Sequence, residues 1–460
     1  MKRAHLFALA LSLLPATARA GGFYLTDRGV RPLGRGGAFV AGADDQHAIW
    51  YNPAGLVDAG AGLLLDASLV NFSNTYTRRA RPDAGMPDVS FRSVEGNGAP
   101  LPIPTLVLTH NFGLRNAMFA VGALAPYAAI TSYPEVRDGP QRYSLISLDG
   151  SLLTVVGLWA AWRPHPMVSI GGGVQALLGS FNTRLSFPAC PATFTCAPED
   201  PDWDATAQMN VGPIFAPTAS LGVQFAPSRY LRFGASGQLP LWVNAPADLA
   251  VRLPSASFYD GARVQGSAAD VSFRLAPIVR VGIEVRPLPT TRIEVAGVWE
   301  GWSLHDSISM TPRDIQINNV RGIGTYEVGP IALDRSFQDT FSVRLGAEHT
   351  ATVSRDVAIQ ARAGFQYETS ATTPAYTNAL TLDAQKFVGS LGASLAWRRW
   401  RFDAVFAYMF ASSVDVSTSE AALYPAQPFR ASTQAPRYPI NAGTYELSVN
   451  VVGLGARYAF

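Results

Sequence analysis

The residues of this chain that could support catalysis are few and widely spaced. A histidine general base needs a nucleophile such as serine beside it and an acidic group that orients its ring. His47, His110, His305 and His349 have no Ser or Asp at a spacing typical of such a triad, and the sequence contains no G-x-S-x-G motif. The sequence therefore predicts a protein that is not an enzyme.

The two cysteines, Cys190 and Cys196, lie six residues apart in a proline-rich stretch. In an oxidising compartment this spacing favours a disulfide that pins a loop. A metal site is the alternative, but no histidine or further cysteine lies nearby in the sequence. We therefore predict a Cys190–Cys196 disulfide, no metal and no other cofactor.

The first twenty residues carry the pattern of a secretory signal peptide. The basic pair Lys2-Arg3 precedes an apolar run at 6–14, and small residues occupy both recognition positions of the A-R-A step that ends at Ala20. The apolar run is too short to span the hydrocarbon core of a bilayer, which takes about 20 residues. We expect residues 1–20 to be cleaved off when the protein is exported.

The composition points to a membrane protein without membrane-spanning helices. Hydrophobic residues make up 48% of the chain and charged residues only 15%, a more hydrophobic composition than is usual for a secreted soluble protein. No segment after residue 20 has the roughly 18 uninterrupted apolar residues of a spanning helix. Strands that face lipid would account for both observations. The net charge of +2 gives no reason to expect a nucleic acid as a partner.

Long segments alternate between apolar and polar side chains, which is typical of strands with two different faces. Over 271–286 the odd positions form one hydrocarbon face and the even positions carry four charges; 357–368 repeats the pattern. The strands of a soluble sandwich also alternate, but they usually have about 5–6 residues, whereas a tilted membrane strand needs about 10. Aromatic residues near the strand ends, such as Trp397 and Trp400, fit the aromatic girdles of a membrane barrel.

The connections between these segments give a strand count. Short turns such as Gly113–Asn116 and Arg398–Arg399 alternate with long loops rich in Pro, Gly, Ser and Asp, such as Leu185–Pro213. This is typical of outer-membrane barrels, whose even number of strands closes the sheet and leaves no edge in lipid. The sequence predicts an all-β fold, a 14-stranded antiparallel transmembrane β-barrel over residues 61–460. The predicted strands lie near 62–72, 103–112, 117–126, 143–162, 168–184, 214–226, 230–242, 271–286, 291–307, 339–349, 356–368, 385–398, 400–412 and 443–460.

The last predicted strand ends on an aromatic residue, as barrel proteins do when they are presented to their insertion machinery. Phe460, Tyr458 and Leu454 share one face, which would contact lipid. Glu446 has the same parity, and a charge that faces lipid is unfavourable by up to about 2–4 kcal/mol. We therefore predict a bulge near Gly453 that swaps the two faces.

The segment 21–60 precedes the first predicted strand and shows no alternation. It is rich in glycine and too apolar for a free linker, so we predict that it folds back into the lumen as a hatch, or plug. Its recognisable motifs are Gly21-Gly22-Phe23, the L-G-R-G-G-A run that begins at Leu33, Ala43-Asp44-Asp45 and Asn52-Pro53-Ala54.

These motifs resemble the hatch of the FadL family, outer-membrane transporters of long-chain fatty acids and of aromatic hydrocarbons such as toluene. The resemblance extends over the whole mature chain. It implies a protein of the bacterial outer membrane, surrounded by lipid and lipopolysaccharide, that takes up a hydrophobic molecule; we expect a monomer. PorV-type barrels share the fold and the hatch pattern but act as partners in protein secretion or surface attachment, and this alternative stays open.

The resemblance also implies a route for the ligand. A hydrophobic molecule is caught among the outer loops, enters a pocket in the lumen, and leaves sideways through a gap at an inward kink of the third strand. In this chain Gly122 and Pro126 could form the kink, because proline lacks a backbone donor and glycine weakens strand pairing. Alternatively, Pro126 only ends the strand.

A cation that faces the lumen would suit the carboxylate of a fatty acid. Arg184, at the top of the predicted fifth strand, falls where the fatty-acid transporters of the family have a carboxylate-binding arginine. Other arginines are predicted by parity to point inward and to pair with wall glutamates: Arg232, Arg274, Arg280, Arg344 and Arg362, with Glu284, Glu294, Glu348 and Glu368.

Overall fold

The computed structural model describes residues 27–80, 87–98, 101–127, 131–191, 194–197, 199–411, 413–426 and 438–460. The predicted signal peptide and the Gly21-Gly22-Phe23 motif lie outside these residues. Within the described ranges no helix is long and apolar enough to cross a membrane.

Fourteen wall strands form a closed antiparallel β-barrel, which confirms the predicted fold. Each strand pairs with the next one along the chain, and the last closes the sheet against the first, from Gly62 opposite Ala459 to Arg78 opposite Gly443. The wall strands are β1 Gly62–Ala80, β2 Leu101–His110, β3 Ala117–Tyr127, β4 Ser147–His165, β5 Val168–Pro188, β6 Asp204–Ser228, β7 Leu231–Gln238 and Leu241–Arg252, β8 Ala268–Leu275 and Ile278–Leu288, β9 Thr291–Glu300 and Ser307–Pro312, β10 Thr340–Thr352, β11 Val357–Glu368, β12 Lys386–Trp397, β13 Trp400–Ala411 and β14 Gly443–Ala459.

The remaining elements are short and belong to the hatch segment, to the outer loops or, for Trp302–Leu304, to the break between the two halves of β9. Two α-helical turns, α1 Val30–Leu33 and α2 Ala48–Tyr51, precede the barrel. The 3₁₀ turns are Pro53–Asp58, Pro201–Trp203, Ser257–Tyr259, Trp302–Leu304 and Pro374–Tyr376. The short strands are Val89–Ser90, Val94–Asn97, Thr131–Ser132, Arg263–Gln265, Gln316–Val320, Gly324–Glu327, Ile331–Asp334 and Val414–Val416.

The wall strands carry apolar side chains outward and polar ones inward, as their alternation predicts. In the second half of β8, Val281 and Ile283 are 54% and 49% exposed, whereas Arg280 and Glu284 are buried. An apolar outer band of this kind is stable only in contact with lipid, because an apolar surface of this size would be unfavourable in water.

The predicted bulge near Gly453 is wrong. β14 pairs with both neighbours without a register shift, and Leu454 and Glu446 stay on the same outward face. The strand has 17 residues, whereas about 10 cross the hydrocarbon of a membrane. Glu446 therefore lies above the lipid, and no change of face is needed to hydrate it.

The predicted single strand over 271–286 is also wrong, because the structure divides it. The first half of β8 ends at Leu275 and the second begins at Ile278, and the inward face changes from odd to even positions across the break. Pro277 lies in the break, where its missing N–H removes one bond of the ladder.

The neighbouring strands β6, β7 and β9 are also irregular in this part of the wall. β7 is interrupted at Leu239-Pro240, opposite the break in β8, and β6 changes its inward face at Gly212-Pro213. In β9 the 3₁₀ turn Trp302–Leu304 separates the two halves. The upper parts of these strands are therefore offset from the lower parts.

The described part of the predicted hatch, 27–60, lies inside the barrel. Gly34 lies against Gly392 of β12, and Pro53 lies against Gly171 of β5, on another part of the wall. Most side chains from Val30 to Leu56 are fully buried. We call this segment the hatch from here on; its predicted boundaries at 21 and 60 stay a prediction.

Candidate functional site

Buried ion pairs hold the hatch to the wall. Arg31 Nη1 lies 2.6 Å from Asp44 and 2.9 Å from Asp45 of the hatch, and its Nη2 lies 2.8 Å from Glu348 of β10. Burial disfavours the charge of Arg31, but the three carboxylates outweigh it and raise the pKa of the guanidinium. These charges are paired and hydrogen bonded, the condition under which buried ions are tolerated.

Glu294 of β9 anchors the middle of the hatch. Its carboxylate accepts hydrogen bonds from the backbone N–H groups of Val40, Ala41 and Gly42, at 2.6, 2.8 and 2.9 Å. Arg35 of the hatch lies 3.1 Å from the same carboxylate. Wall glutamates were predicted to pair with wall arginines, but Glu294 binds the hatch instead, which sequence parity could not reveal.

His47 of the hatch lies between two carboxylates. Its Nδ1 is 2.8 Å from Asp45 and its Nε2 is 2.6 Å from Asp66 of β1. Burial alone would lower the pKa of the imidazole, but Asp45 and Asp66 outweigh it and raise this pKa to about 9. His47 is therefore a charged link between hatch and wall at neutral pH, consistent with its lack of a catalytic nucleophile.

The Asn52-Pro53-Ala54 motif fixes the end of the hatch. Asn52 Oδ1 accepts from Ala54 N at 3.2 Å, and Nδ2 donates at 3.0 Å to Val40 O in the hatch and at 3.0 Å to Val223 O in β6. A side chain on Gly222 would lie 2.1 Å from Asn52 Oδ1. Wall glycines therefore make room for the motif, a role that the sequence analysis did not assign to them.

The third strand contains an irregularity at the predicted place. Gly122 pairs regularly with Val107 and Gly157, but the register between β3 and β4 shifts between Leu124 and Tyr127. Pro126 is buried within this shift, one residue before the strand ends at Tyr127, and its carbonyl accepts a hydrogen bond from Arg28 of the hatch. A pocket of about 630 Å³ lies beside this contact, lined by hatch residues and by β1, β2 and β11–β14.

An apolar cavity occupies the upper lumen, above the hatch. It has a volume of about 770 Å³, including space open to solvent, and we call it the upper cavity. Its lining comes from β4, β5, β6, β8, β9 and the outer loops: Leu148, Ser151, Leu153, Phe181, Thr183, Leu185, Met209, Phe273, Leu275, His305, Ile308, Leu333, Arg335, Leu380 and Thr381.

Arg335 is the charged member of that lining. Its side chain is only 4% exposed, and within the described part of the chain its Nε and Nη2 have no hydrogen-bond partner. Burial lowers the pKa of the guanidinium to about 10, with Asp334 opposing the shift, so it is still charged at neutral pH. An unpaired buried cation is costly, so this site suits an anionic ligand.

His305 lies beside Arg335 but is uncharged. Its Nδ1 lies 2.6 Å from the carbonyl oxygen of Arg274, which can only accept, so Nδ1 carries the proton. Burial, followed by the charge of Arg335, lowers the pKa of this imidazole to about 4. Its ring packs 5.1 Å from that of Phe337. The sequence analysis missed this site because Arg335 lies in a loop segment without periodicity.

An outer chamber continues the apolar path toward the loops. It has a volume of about 690 Å³, including space open to solvent, and shares Leu185, Met209 and Leu333 with the upper cavity. The loops above it are pinned by the predicted Cys190–Cys196 disulfide, which the structure contains with Cα atoms 6.2 Å apart. Phe194 packs 4.9 Å from Phe258 beside it. The two cavities together lead from the outer loops into the lumen.

Arg184 does not line either cavity. The odd positions of β5, such as Thr183 and Leu185, face inward, so Arg184 points away and lies 2.8 Å from Glu135 of an outer loop. The expected inward direction of Arg184 is corrected, and its role as a carboxylate clamp has no support from this geometry. Arg274 also points outward, because β8 changes its inward face at the break.

The described residues contain no group of three or more His, Cys, Asp or Glu side chains that could hold a metal ion. Among the described residues, the buried charges of the lumen include the ion pairs at the hatch, the pairing of Lys386 with Glu368 and Asp383, and Arg335 in the upper cavity.

Solved structures with the same fold were found by comparison. A FadL homologue of Pseudomonas aeruginosa is 14% identical, with a TM-score of 0.70 over 95% of this chain and 100% of that chain. The toluene transporter TbuX of Ralstonia pickettii is 15% identical, with a TM-score of 0.59 over 95% and 99%. The toluene transporter TodX of Pseudomonas putida is 12% identical, with a TM-score of 0.62 over the same shares. At these identities the likeness shows the fold alone.

Comparison with curated protein sequences gives no significant match. The family model described as outer membrane protein transport protein (OMPP1/FadL/TodX) matches residues 11–460. The matches give no support to the PorV-type alternative. The chain therefore belongs to the FadL/TodX family of outer-membrane β-barrels that transport hydrophobic compounds.

Proposed function

We propose that this protein takes up hydrophobic molecules with an anionic head group, with long-chain fatty acids as the best fit. The observation that carries this proposal is Arg335 in the wall of an otherwise apolar cavity. A carboxylate would accept charge-assisted hydrogen bonds from Nε and Nη2, which form a fork that matches two carboxylate oxygens. An aromatic hydrocarbon would leave these donors without partners.

The apolar lining supplies the rest of the affinity. Each methylene that leaves water gains about 0.8 kcal/mol, so a long acyl chain in the upper cavity and the outer chamber is held by several kcal/mol. The aromatic loops near Phe194 and Trp203 offer a first contact for the chain outside the barrel. The Cys190–Cys196 disulfide keeps this entrance in shape.

For the exit we propose the predicted gap beside Gly122 and Pro126 in β3. Arg28 of the hatch donates to the carbonyl of Pro126, so a movement of the hatch N-terminus would free the irregular part of β3. The 630 Å³ pocket, which Asp27 and Arg28 line, would receive the ligand before it passes into the membrane. The protein would act as a monomer in the outer membrane, because its closed sheet needs no partner strand.

The test is the binding of a radiolabelled long-chain fatty acid to the purified barrel with Arg335→Leu. We expect the affinity to fall by about 10- to 100-fold, since a charge-assisted hydrogen bond contributes about 1.5–3 kcal/mol. Binding of an alkane of the same length should not change. Arg335→Lys should restore part of the loss, and Arg184→Ala is the matched control with no expected loss. Equal losses for acid and alkane would contradict the proposal.

A further inference from the structure

β6 and β7 are paired at both ends but not in the middle. Their ladder runs up to Ser220 opposite Gln238, and it resumes at Val211 opposite Ala247 in the same register. Between these two paired parts, the segments 212–219 of β6 and 239–246 of β7, both fully described, do not pair with each other in the ladder. One backbone hydrogen bond, from Leu239 N to Ala219 O at 2.9 Å, lies at the lower edge of this unpaired region. We call these two segments the seam.

The breaks in the two strands explain the seam. β6 changes its inward face at Gly212-Pro213, whereas β7 changes its face at Leu239-Pro240, at the other end of the seam. Residues that pair directly must share a face. In the seam they do not: Val243 is buried, and Phe215, which the register would place opposite it, is 66% exposed.

Prolines make the unpaired seam tolerable beside lipid. Pro213 and Pro217 lie on β6, and Pro240 and Pro246 lie on β7. Each lacks an N–H group, so fewer donors are left without a partner where water is scarce. Phe215 and Trp242 are exposed on the outer face, as aromatic residues are at a membrane interface, and Asn244 above them is polar and exposed.

The upper cavity lies close to the seam, on the inner side of the wall. Leu241 pairs with Leu275, and Val211 pairs with Phe181; both partners line the cavity. At about 3.4 Å per residue and a tilt of about 40°, Leu239 lies roughly 25 Å above the turn at its base, near the outer edge of the apolar band. Because Leu239 is the lower end of the seam on β7, the seam begins at the outer edge of the outer leaflet and continues above it.

We propose that the seam between β6 and β7 is a second lateral port, through which an amphipathic acid passes between the upper cavity and the outer leaflet. This rests on the proposed function of the cavity. Opening the seam breaks no ladder hydrogen bonds over its length; at its lower edge it breaks the hydrogen bonds from Leu239 N to Ala219 O and from Thr218 Oγ1 to Leu239 O. Passage by this port does not require the hatch to move, in contrast to the gap at β3.

A bulky thiol reagent attached at the seam tests the port. The native cysteines form a disulfide, so Phe215→Cys can be labelled alone in the full-length protein in proteoliposomes. The matched control is Leu221→Cys, which also faces outward on β6 but lies below the seam in a paired segment. Labelling Phe215→Cys should slow fatty-acid transfer by roughly twofold or more, because only the gap at β3 is then left as an exit, and labelling Leu221→Cys should not slow it.

A fatty acid with a photoreactive group at its tail gives a direct readout. Adducts on 212–219 or 239–246, in addition to those in the upper cavity, would support the port. Adducts confined to the cavity and to 117–127, with unchanged transfer after labelling Phe215→Cys, would overturn it while leaving the proposed function intact. If Arg335→Leu leaves the labelling of the cavity unchanged, both proposals fail.

Discussion

Arg31 and Arg335 are both buried inside the barrel, but their surroundings are opposite. Arg31, in the hatch, is within 3 Å of three carboxylates. Arg335, in the upper cavity, has no ion-pair partner in the described residues and faces hydrocarbon. The lower lumen is therefore built to hold a segment of the protein in place, and the upper lumen to hold a molecule that comes and goes.

The largest expected effect comes from removing each arginine. Arg31→Leu should destabilise the barrel or release its hatch by about 3–5 kcal/mol, because it leaves buried carboxylates without their cation. Arg335→Leu should be neutral or stabilising by up to about 4 kcal/mol in the absence of ligand, because a lone buried charge is removed. Thermal unfolding and proteolysis of the hatch measure both. Similar losses of stability for the two variants would mean that Arg335 is a structural residue.

Rising pH should loosen the lower lumen first, because the pKa of His47 is about 9 whereas that of Arg335 in the upper cavity is about 10. The pKa of His47 is raised from 6.5 to about 9 in the folded protein, so its contribution is complete below pH 6.5 and is lost as the pH rises through 9. The linked stabilisation is on the order of 3 kcal/mol. Protection factors of the hatch amides between pH 6 and pH 10, which are corrected for the intrinsic pH dependence of exchange, would show this loss. In His47→Gln the protection factors should be lower and nearly independent of pH; wild-type protection factors that do not fall with rising pH would contradict the role of His47.

The smallest expected effect comes from one methyl group beside the hatch. Gly222→Ala places a Cβ against Asn52 Oδ1 and should destabilise the protein by about 1–3 kcal/mol, as overpacking usually does. Gly237→Ala is the matched control, since its Cβ would meet no atom closer than 3.8 Å. Fatty-acid binding in the upper cavity should be unaffected by either. A loss of binding in Gly222→Ala would show that hatch and cavity are coupled.

Much of the wall could be predicted from the sequence, because a membrane barrel repeats one local rule. The alternation over 357–368 and the short turn at Arg398–Arg399 depend only on neighbouring residues and on the lipid outside. The errors arose where this rule is interrupted. Pro277 was assigned to a continuous face, and Glu446 was placed in lipid, because sequence alone does not give the height of a residue in the membrane.

The candidate site was less predictable, because its residues come together only by folding. Arg184 was chosen by its place along the chain, but the inward parity of β5 is set by the neighbouring strands and turns it outward. Arg335 could not be identified from the sequence, because what distinguishes it is that no described carboxylate pairs with it in the folded protein. Likewise, the seam depends on two changes of face in strands that are adjacent only in the closed sheet.

The sequence by itself determined the number of wall strands, their closure and the presence of a separate N-terminal segment with the Asn52-Pro53-Ala54 motif. These follow from periodicity, turn lengths and composition, which are local properties. Only the tertiary structure decided that Glu294 and Glu348 bind the hatch, that Arg335 stands alone in the cavity, and that the wall is unpaired between β6 and β7. These depend on long-range contacts across a closed barrel, which no local pattern encodes.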